Sequence, residues 1–313
     1  MYAYIVRRIL KVFPTIFFVA TIIFLAVRAL AGDPAIALLG DDAGAEAVTA
    51  MREQLGLNKP LYLQYLNMLW DLVRLDLGDD VFRGQPVLEI LARPFYYTIE
   101  LTIAATIIGV LIGIPLGVVS AIYWRSTIDA SSRIIALLGF SFPTFFIGIV
   151  LMYVFSFKLR WFPIVGGGDY DDFFDRMYHL VLPAFTLGII KASFVMRLTR
   201  SNMLSVLQED YIVTARSKGL SEFKVVGKHA LRNTLIVVVT MTLAYMIFTL
   251  GGTIALEIVY GRPGIGAHLV QAIAERNYAI VQGGLILFSI GVVFINLTTD
   301  ILYTFIDPRI SYE

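Results

Sequence analysis

Little in this 313-residue chain has the type and spacing to make or break a covalent bond. Ser141 sits in Gly-Phe-Ser-Phe inside an apolar run with no histidine placed to take its proton, so a serine nucleophile lacks its base. The three histidines, His179, His229 and His268, are scattered without ligand spacing, and the chain has no cysteine. Disulfides and thiolate metal sites are therefore excluded. The glycine-rich run 260–266 imitates a phosphate loop, but no lysine in the chain is followed by Ser or Thr, so there is no Walker A sequence. Asn296 and Asp300 stand one helical turn apart in an apolar stretch and share a face. An intramembrane carboxylate turns towards protein or water. The pair reads either as polar glue between helices or as part of a polar pathway, with no second buried carboxylate expected to form a relay. The richest polar stretch is 208–233, where Arg216, Lys218, Lys224, Lys228 and Arg232 lie between apolar runs. Its chemistry is that of a docking surface. No basic patch interleaved with aromatics suggests nucleic acid.

The elements that position these residues follow from composition. The sequence is 58% apolar and 16% charged with a mean hydropathy of +0.77, far from the roughly quarter-charged composition of soluble domains. It reads as an all-α polytopic membrane protein. Hydrocarbon about 30 Å thick needs about 20 apolar residues per helix. Runs of that kind lie at 12–27, 101–124, 134–157, 180–196, 233–256 and 279–299, which gives six transmembrane helices. The fourth contains Lys191, whose ammonium is expected to climb to the interface near Arg197. Arg7, Arg8 and Lys11, then Arg125 and Arg133, then the basic stretch mark cytoplasmic segments. The alternate segment 158–179 holds Asp169, Asp171, Asp172 and Asp175. Both termini are thus expected in the cytoplasm. The basic start and Ala29-Leu30-Ala31 imitate a signal peptide, but the apolar run is too long and Arg28 adjoins the cleavage point, so a retained first helix is expected.

Within 208–233, two short helices joined at Gly219 are predicted. Asp210 would cap the first, Gly219 would take the left-handed conformation that ends it, and Ser221 would cap the second. Gly109, Gly113 and Gly117 recur every four residues in the second span and offer a smooth face for close helix packing. Pro115 and Pro143 remove backbone donors and can kink their helices. Segment 31–95 is hydrophilic, with ten acids against five bases. A helix is predicted over 60–75, with Leu61, Tyr65, Leu69 and Leu72 on one stripe.

The segment Val213-Thr214-Ala215-Arg216-Ser217-Lys218-Gly219 resembles the Glu-Ala-Ala-x-x-x-Gly loop by which permease subunits of ABC importers engage their ATPase. The stretch 210–220 is most similar to the dipeptide/oligopeptide branch, in which Asp-Tyr-x-x-Thr-Ala-Arg-x-Lys-Gly-Leu is usual; departures from the general motif are Val213 for Glu, His229 for Ile and Arg232 for Pro. The same family is resembled in Glu53-Gln54-Leu55-Gly56-Leu57, in Arg83-Gly84-Gln85-Pro86-Val87, in the turn Tyr260-Gly261-Arg262-Pro263-Gly264, where Arg262 replaces a Trp, and in Asp307-Pro308-Arg309. The likeness runs over 4–310. It implies a type I ABC importer permease fold: cytoplasmic tail and first helix at 1–30, a small external helical lobe at 31–95, and a five-helix core at 96–310 with a cytoplasmic coupling loop at 201–232. It assigns ATPase coupling to Asp210, Tyr211, Thr214, Ala215, Arg216, Lys218, Gly219 and Leu220. It implies a sister permease subunit, two ABC ATPase subunits and an external substrate-binding protein in the inner membrane. No cofactor is expected on this chain, with ATP and magnesium on the partner ATPases, and a dipeptide or oligopeptide is the expected cargo, with glutathione, nickel and some sugar permeases sharing the family's look. A secondary transporter would also lack a P-loop, but the scarcity of intramembrane ionisable residues and of an inverted repeat speaks against one.

Overall fold

The computed structural model describes residues 2–30, 34–40, 43–80 and 82–306. The motifs at 31–33 and 307–310 lie outside these residues. The fold is helical throughout, in the order α1 Tyr2–Leu30, α2 Pro34–Leu39, α3 Ala45–Gln54, α4 Leu61–Val73, α5 Val87–Ile122, α6 Thr127–Ser141, α7 Thr144–Leu151, α8 Phe173–Val206, α9 Asp210–Ser217, α10 Glu222–Lys224, α11 Leu231–Val259, α12 Ile265–Ala274 and α13 Tyr278–Ile306. A two-residue ladder pairs β1 (Asp79–Asp80) with β2 (Gln85–Pro86), antiparallel. Among the described residues five helices are long and apolar enough to cross a membrane, and the bent pair α6 and α7 makes a sixth crossing if counted as one.

The third crossing differs from the continuous 134–157 run read from sequence. Phe142 is extended (φ −98°, ψ 140°), as a residue before proline prefers, and Pro143 caps a new helix. The two halves meet at 103°. Beyond Leu151 the helix continues as a π-helical segment, Met152–Lys158. Pro115 leaves α5 unbroken over its 36 residues.

The chain divides into two compact units. The first comprises residues 1–97 and 263–297. Its core joins Ile23 and Val27 of α1, Val87 and Leu91 of α5, Ile265 and Leu269 of α12 and Ile280 and Ile286 of α13. Helix α4 lies on α1: the Tyr65 hydroxyl is 2.6 Å from Thr21 Oγ1 and its ring tilts against Phe24. Of the stripe read from sequence, Tyr65, Leu69 and Leu72 are half-buried while Leu61 is exposed, because the helix begins there and Pro60 only caps it. The Asn277 amide donates to the fully buried Asp80 carboxylate and so ties the entry of α13 to the short ladder.

The second unit comprises residues 98–262 and 298–313. Helix α8 is its centre: 67% of its apolar window is buried, against 17 to 28% for the other long helices. It is also the least apolar of them, with Lys191, Ser193, Thr186 and Thr199 all buried. A helix surrounded by protein can carry polar groups that lipid would not tolerate.

Candidate functional site

The sequence-predicted loop helix is α9, and its placement rests on two side chains. Ile212 and Ala215, three residues apart and so on one face, are buried against Met203 of α8, Ala121 of α5, and Val225 and Ala230 beyond α10. Everything else on the helix faces outward: Asp210, Tyr211, Val213, Thr214, Arg216, Ser217 and Lys218 are exposed. Asp210 is the first helical residue rather than the cap. Glu209 occupies the cap position without a side-chain hydrogen bond, and the acid of Asp210 complements the helix dipole instead.

The end of α9 is a Schellman turn. Gly219 has φ +76°, its N–H donates to the Arg216 carbonyl at 2.9 Å, and Leu220 N–H reaches back to Ala215 at 3.4 Å. Ser221 then holds the N-cap position of α10, though its hydroxyl makes no capping bond. The sequence reading of a second short helix is corrected here. Glu222–Lys224 passes through a π-helical segment, Val225–Ala230, into Leu231–Val259, so one continuous 38-residue helix runs from the loop to the far end of α11. Arg216 pairs with Glu222 across the turn through two bonds of 2.8 and 3.3 Å, and Asn233 donates to the Tyr211 hydroxyl at 2.7 Å. These pairs are exposed, so they fix geometry more than they add stability. Phe223, 88% exposed, completes an outward surface with Tyr211, Val213 and Leu220.

Below the loop helix, the ends of α5, α6 and α8 are fastened by a charge that sequence reading left unassigned. Asp129, buried in the first turn of α6, accepts from Arg200 Nε and Nη2 of α8 at 2.6 and 2.9 Å, from Ser120 Oγ of α5 at 2.7 Å and from Arg125 N. With every acceptor site engaged, the carboxylate orients the platform on which α9 sits. Its sequence signal was an acid lying between Arg125 and Arg133.

The glycines of α5 meet α8. A Cβ at Gly113 would lie 2.7 Å from Val195 Cβ and 2.8 Å from the Ala192 carbonyl, and one at Gly117 would lie 2.5 Å from Thr199 Cβ. Gly188 of α8 reciprocates against Ile108, a contact not anticipated from sequence. Gly109 receives the stem of Lys191, whose Cβ and Cγ would stand 2.9 Å from a Cβ there. This overturns the expectation that Lys191 reaches the interface. It is 2% exposed, and Nζ donates to Thr106 Oγ1 of α5 at 2.6 Å and to Thr249 Oγ1 of α11 at 3.1 Å. The side chain turns to hydroxyls a bond away rather than climbing along the helix.

Two further acids revise the view that Asp300 stands alone. Glu257 is fully buried and accepts from the Thr98 hydroxyl, and Glu100 binds Arg176 Nε at 3.0 Å and Arg262 Nη2. The Arg262 of the glycine-rich turn is therefore an internal cation held by α5 rather than a solvated loop residue. On α13, Asn296 is exposed and Asp300 half-buried.

A family model for "Binding-protein-dependent transport system inner membrane component" matches residues 113–312, and one for the N-terminal part of the same membrane components matches 1–102. The chain is 40% identical over all 313 residues, covering 100% of both chains, to the glutathione transport system permease protein GsiC of Escherichia coli (strain K12). The same figures hold for the protein of that name from Salmonella choleraesuis. Among solved structures, an inward facing conformation of the MetNI methionine ABC transporter superposes with a TM-score of 0.59 at 18% identity, over 70% of this chain and 97% of that one.

Proposed function

Since the chain belongs to the family of binding-protein-dependent transport system inner membrane components, the permease subunits of ABC importers, we propose that it carries peptide-type solutes into the cytoplasm and that segment 201–232 couples it to ATP hydrolysed elsewhere. The cargo class is short peptides, dipeptides or oligopeptides and the glutathione type included; the similarity to the glutathione permeases supports this over their whole length. ATP and magnesium belong to two partner ATPase subunits. A sister permease completes the pathway, and an external binding protein delivers the solute. The termini and the coupling loop are cytoplasmic, and the lobe at 31–95 faces the delivery side.

The observation that carries the coupling role is α9 itself. It buries Ile212 and Ala215, presents its remaining surface outward, and is separated by only the Gly219 turn from a helix long enough to cross the bilayer. ATPase closure would press on Tyr211, Thr214, Arg216 and Lys218, and the clamp at Asp129 would pass the displacement to α5, α6 and α8. Switching between outward-open and inward-open states follows from tilting such packed helices.

Uptake by vesicles holding the assembled complex tests the reading. A labelled peptide presented by the binding protein should enter only with ATP, and the permease alone should hydrolyse none. Uptake that survives ATP depletion but collapses with the proton gradient would replace this reading with secondary transport.

A further inference from the structure

Lys191 is an ionisable amine sealed inside the second unit with no carboxylate beside it among the described residues. Its two acceptors are neutral, and each already donates its own proton to the backbone, Thr106 to Thr102 and Thr249 to Tyr245. The two acceptors match the two N–H groups of the neutral amine, and the protonated form, with three, has one donor left for a further acceptor. Three other buried charges of this unit have a partner of opposite sign: Asp129 faces Arg200, while Arg176 and Arg262 both face Glu100. Withdrawing an unpaired charge from water costs several kcal/mol, and an uncharged amide would bridge three helices at less expense. An ionisable group kept inside a membrane bundle under those terms marks a substrate or ion path.

The surroundings suit a solute with an anionic end and an apolar body. The contacts Thr186 with Tyr260, Lys191 with Thr249, Phe194 with Tyr245 and Thr234 with Met203 run in opposite directions along α8 and α11, so the two helices share one antiparallel seam. Thr242, two turns from Thr249 on the same face of α11, is nearly fully buried, and its hydroxyl has no hydrogen-bond partner. One turn from Lys191, Phe194 stacks on Tyr245 at 4.3 Å, and Tyr245 tilts on Phe248, which is 73% exposed. An aromatic shelf thus leads from the cation to the open face of α11. The cover over Nζ is Thr249, on the same continuous helix that begins in the coupling loop.

We propose that Lys191 is the anion-binding group of the transport path: it takes the carboxylate of the passing solute when α11 draws away from α8, and rests on Thr106 and Thr249 when the seam is closed. The favoured cargo is then a small carboxylate with an apolar or aromatic side chain. This deepens the importer reading and rests on it.

The test uses the full complex in vesicles, with the cognate binding protein saturated by glutathione or leucyl-phenylalanine, each as free acid and as C-terminal amide. The readout is the ratio of acid to amide uptake, compared between wild type and variant so that the binding protein's own preference cancels. Lys191→Met should lower the ratio about tenfold or more, the size of a lost charge-assisted hydrogen bond, in complexes from which the partner subunits are still recovered. Lys191→Arg should keep most of it. An unchanged ratio in Lys191→Met overturns the proposal. So does failure of both Lys191→Met and Lys191→Gln to assemble while Lys191→Arg assembles, which makes Lys191 a fastener of helices or of the sister subunit. If the wild-type complex takes up neither form with ATP, the importer reading falls first and the inference with it; that outcome is seen before any variant is compared.

Discussion

At the scale of single residues, buried side chains are matched to neighbours on other helices, and the match decides what each substitution costs. Gly113 faces Val195 and the Ala192 carbonyl at less than van der Waals distance from any added carbon, so Gly113→Val must push α5 from α8. Overpacking of this kind costs about 1–3 kcal/mol. The purified complex should melt several degrees lower, whereas Gly251→Ala on α11, where nothing lies within 4 Å, should melt like wild type. Arg262→Ala leaves Glu100 with Arg176 as its remaining cation. Losing one charge-assisted hydrogen bond while the second cation stays costs about 1.5–3 kcal/mol. Thermal denaturation should expose a large loss, and Arg262→Lys should recover part of it.

At the scale of elements, Gly219 isolates the contribution of one turn. Its positive φ is required by the Schellman geometry, and no atom stands within 4 Å of a Cβ there, so a substitution is penalised through the backbone alone. Gly219→Val should cost about 1 kcal/mol or more, leave insertion of the long helices intact, and lower peptide uptake per ATP hydrolysed. Gly219→Asn, which tolerates the left-handed region, should stay near wild type. Wild-type coupling in Gly219→Val would remove the turn from the mechanism. This turn was legible in the sequence because glycine after an amphipathic stretch has few other reasons to be there. The long helices were equally legible, since uncharged runs near the bilayer thickness admit little else. The break at Pro143 was foreseen only as a kink: its size depends on how α7 packs against α8 and α11, which no local pattern encodes. Lys191 was misjudged for the opposite reason. Snorkelling is the default for a lysine near a helix end, and the hydroxyls that overrule it come from residues 85 and 58 positions away.

At the scale of the whole molecule, the proposed topology gives each loop a side. With no native cysteine in the chain, Lys218→Cys and Asp169→Cys can be compared directly, both positions being exposed. An impermeant maleimide applied to intact cells should label position 169 and spare position 218, and the reverse would invert the molecule. The placement of Lys191 also bears on how the protein is made. Helix α8 leaves the ribosome after α5 and before α11, so its lysine enters the bilayer with Thr106 already available and Thr249 still unsynthesised. For the time needed to add those last residues the ammonium has one of its two acceptors, and the central helix of the unit is held on one flank only. The arrival of α11 then completes both the burial of α8 and the pair of hydroxyl acceptors around its amine.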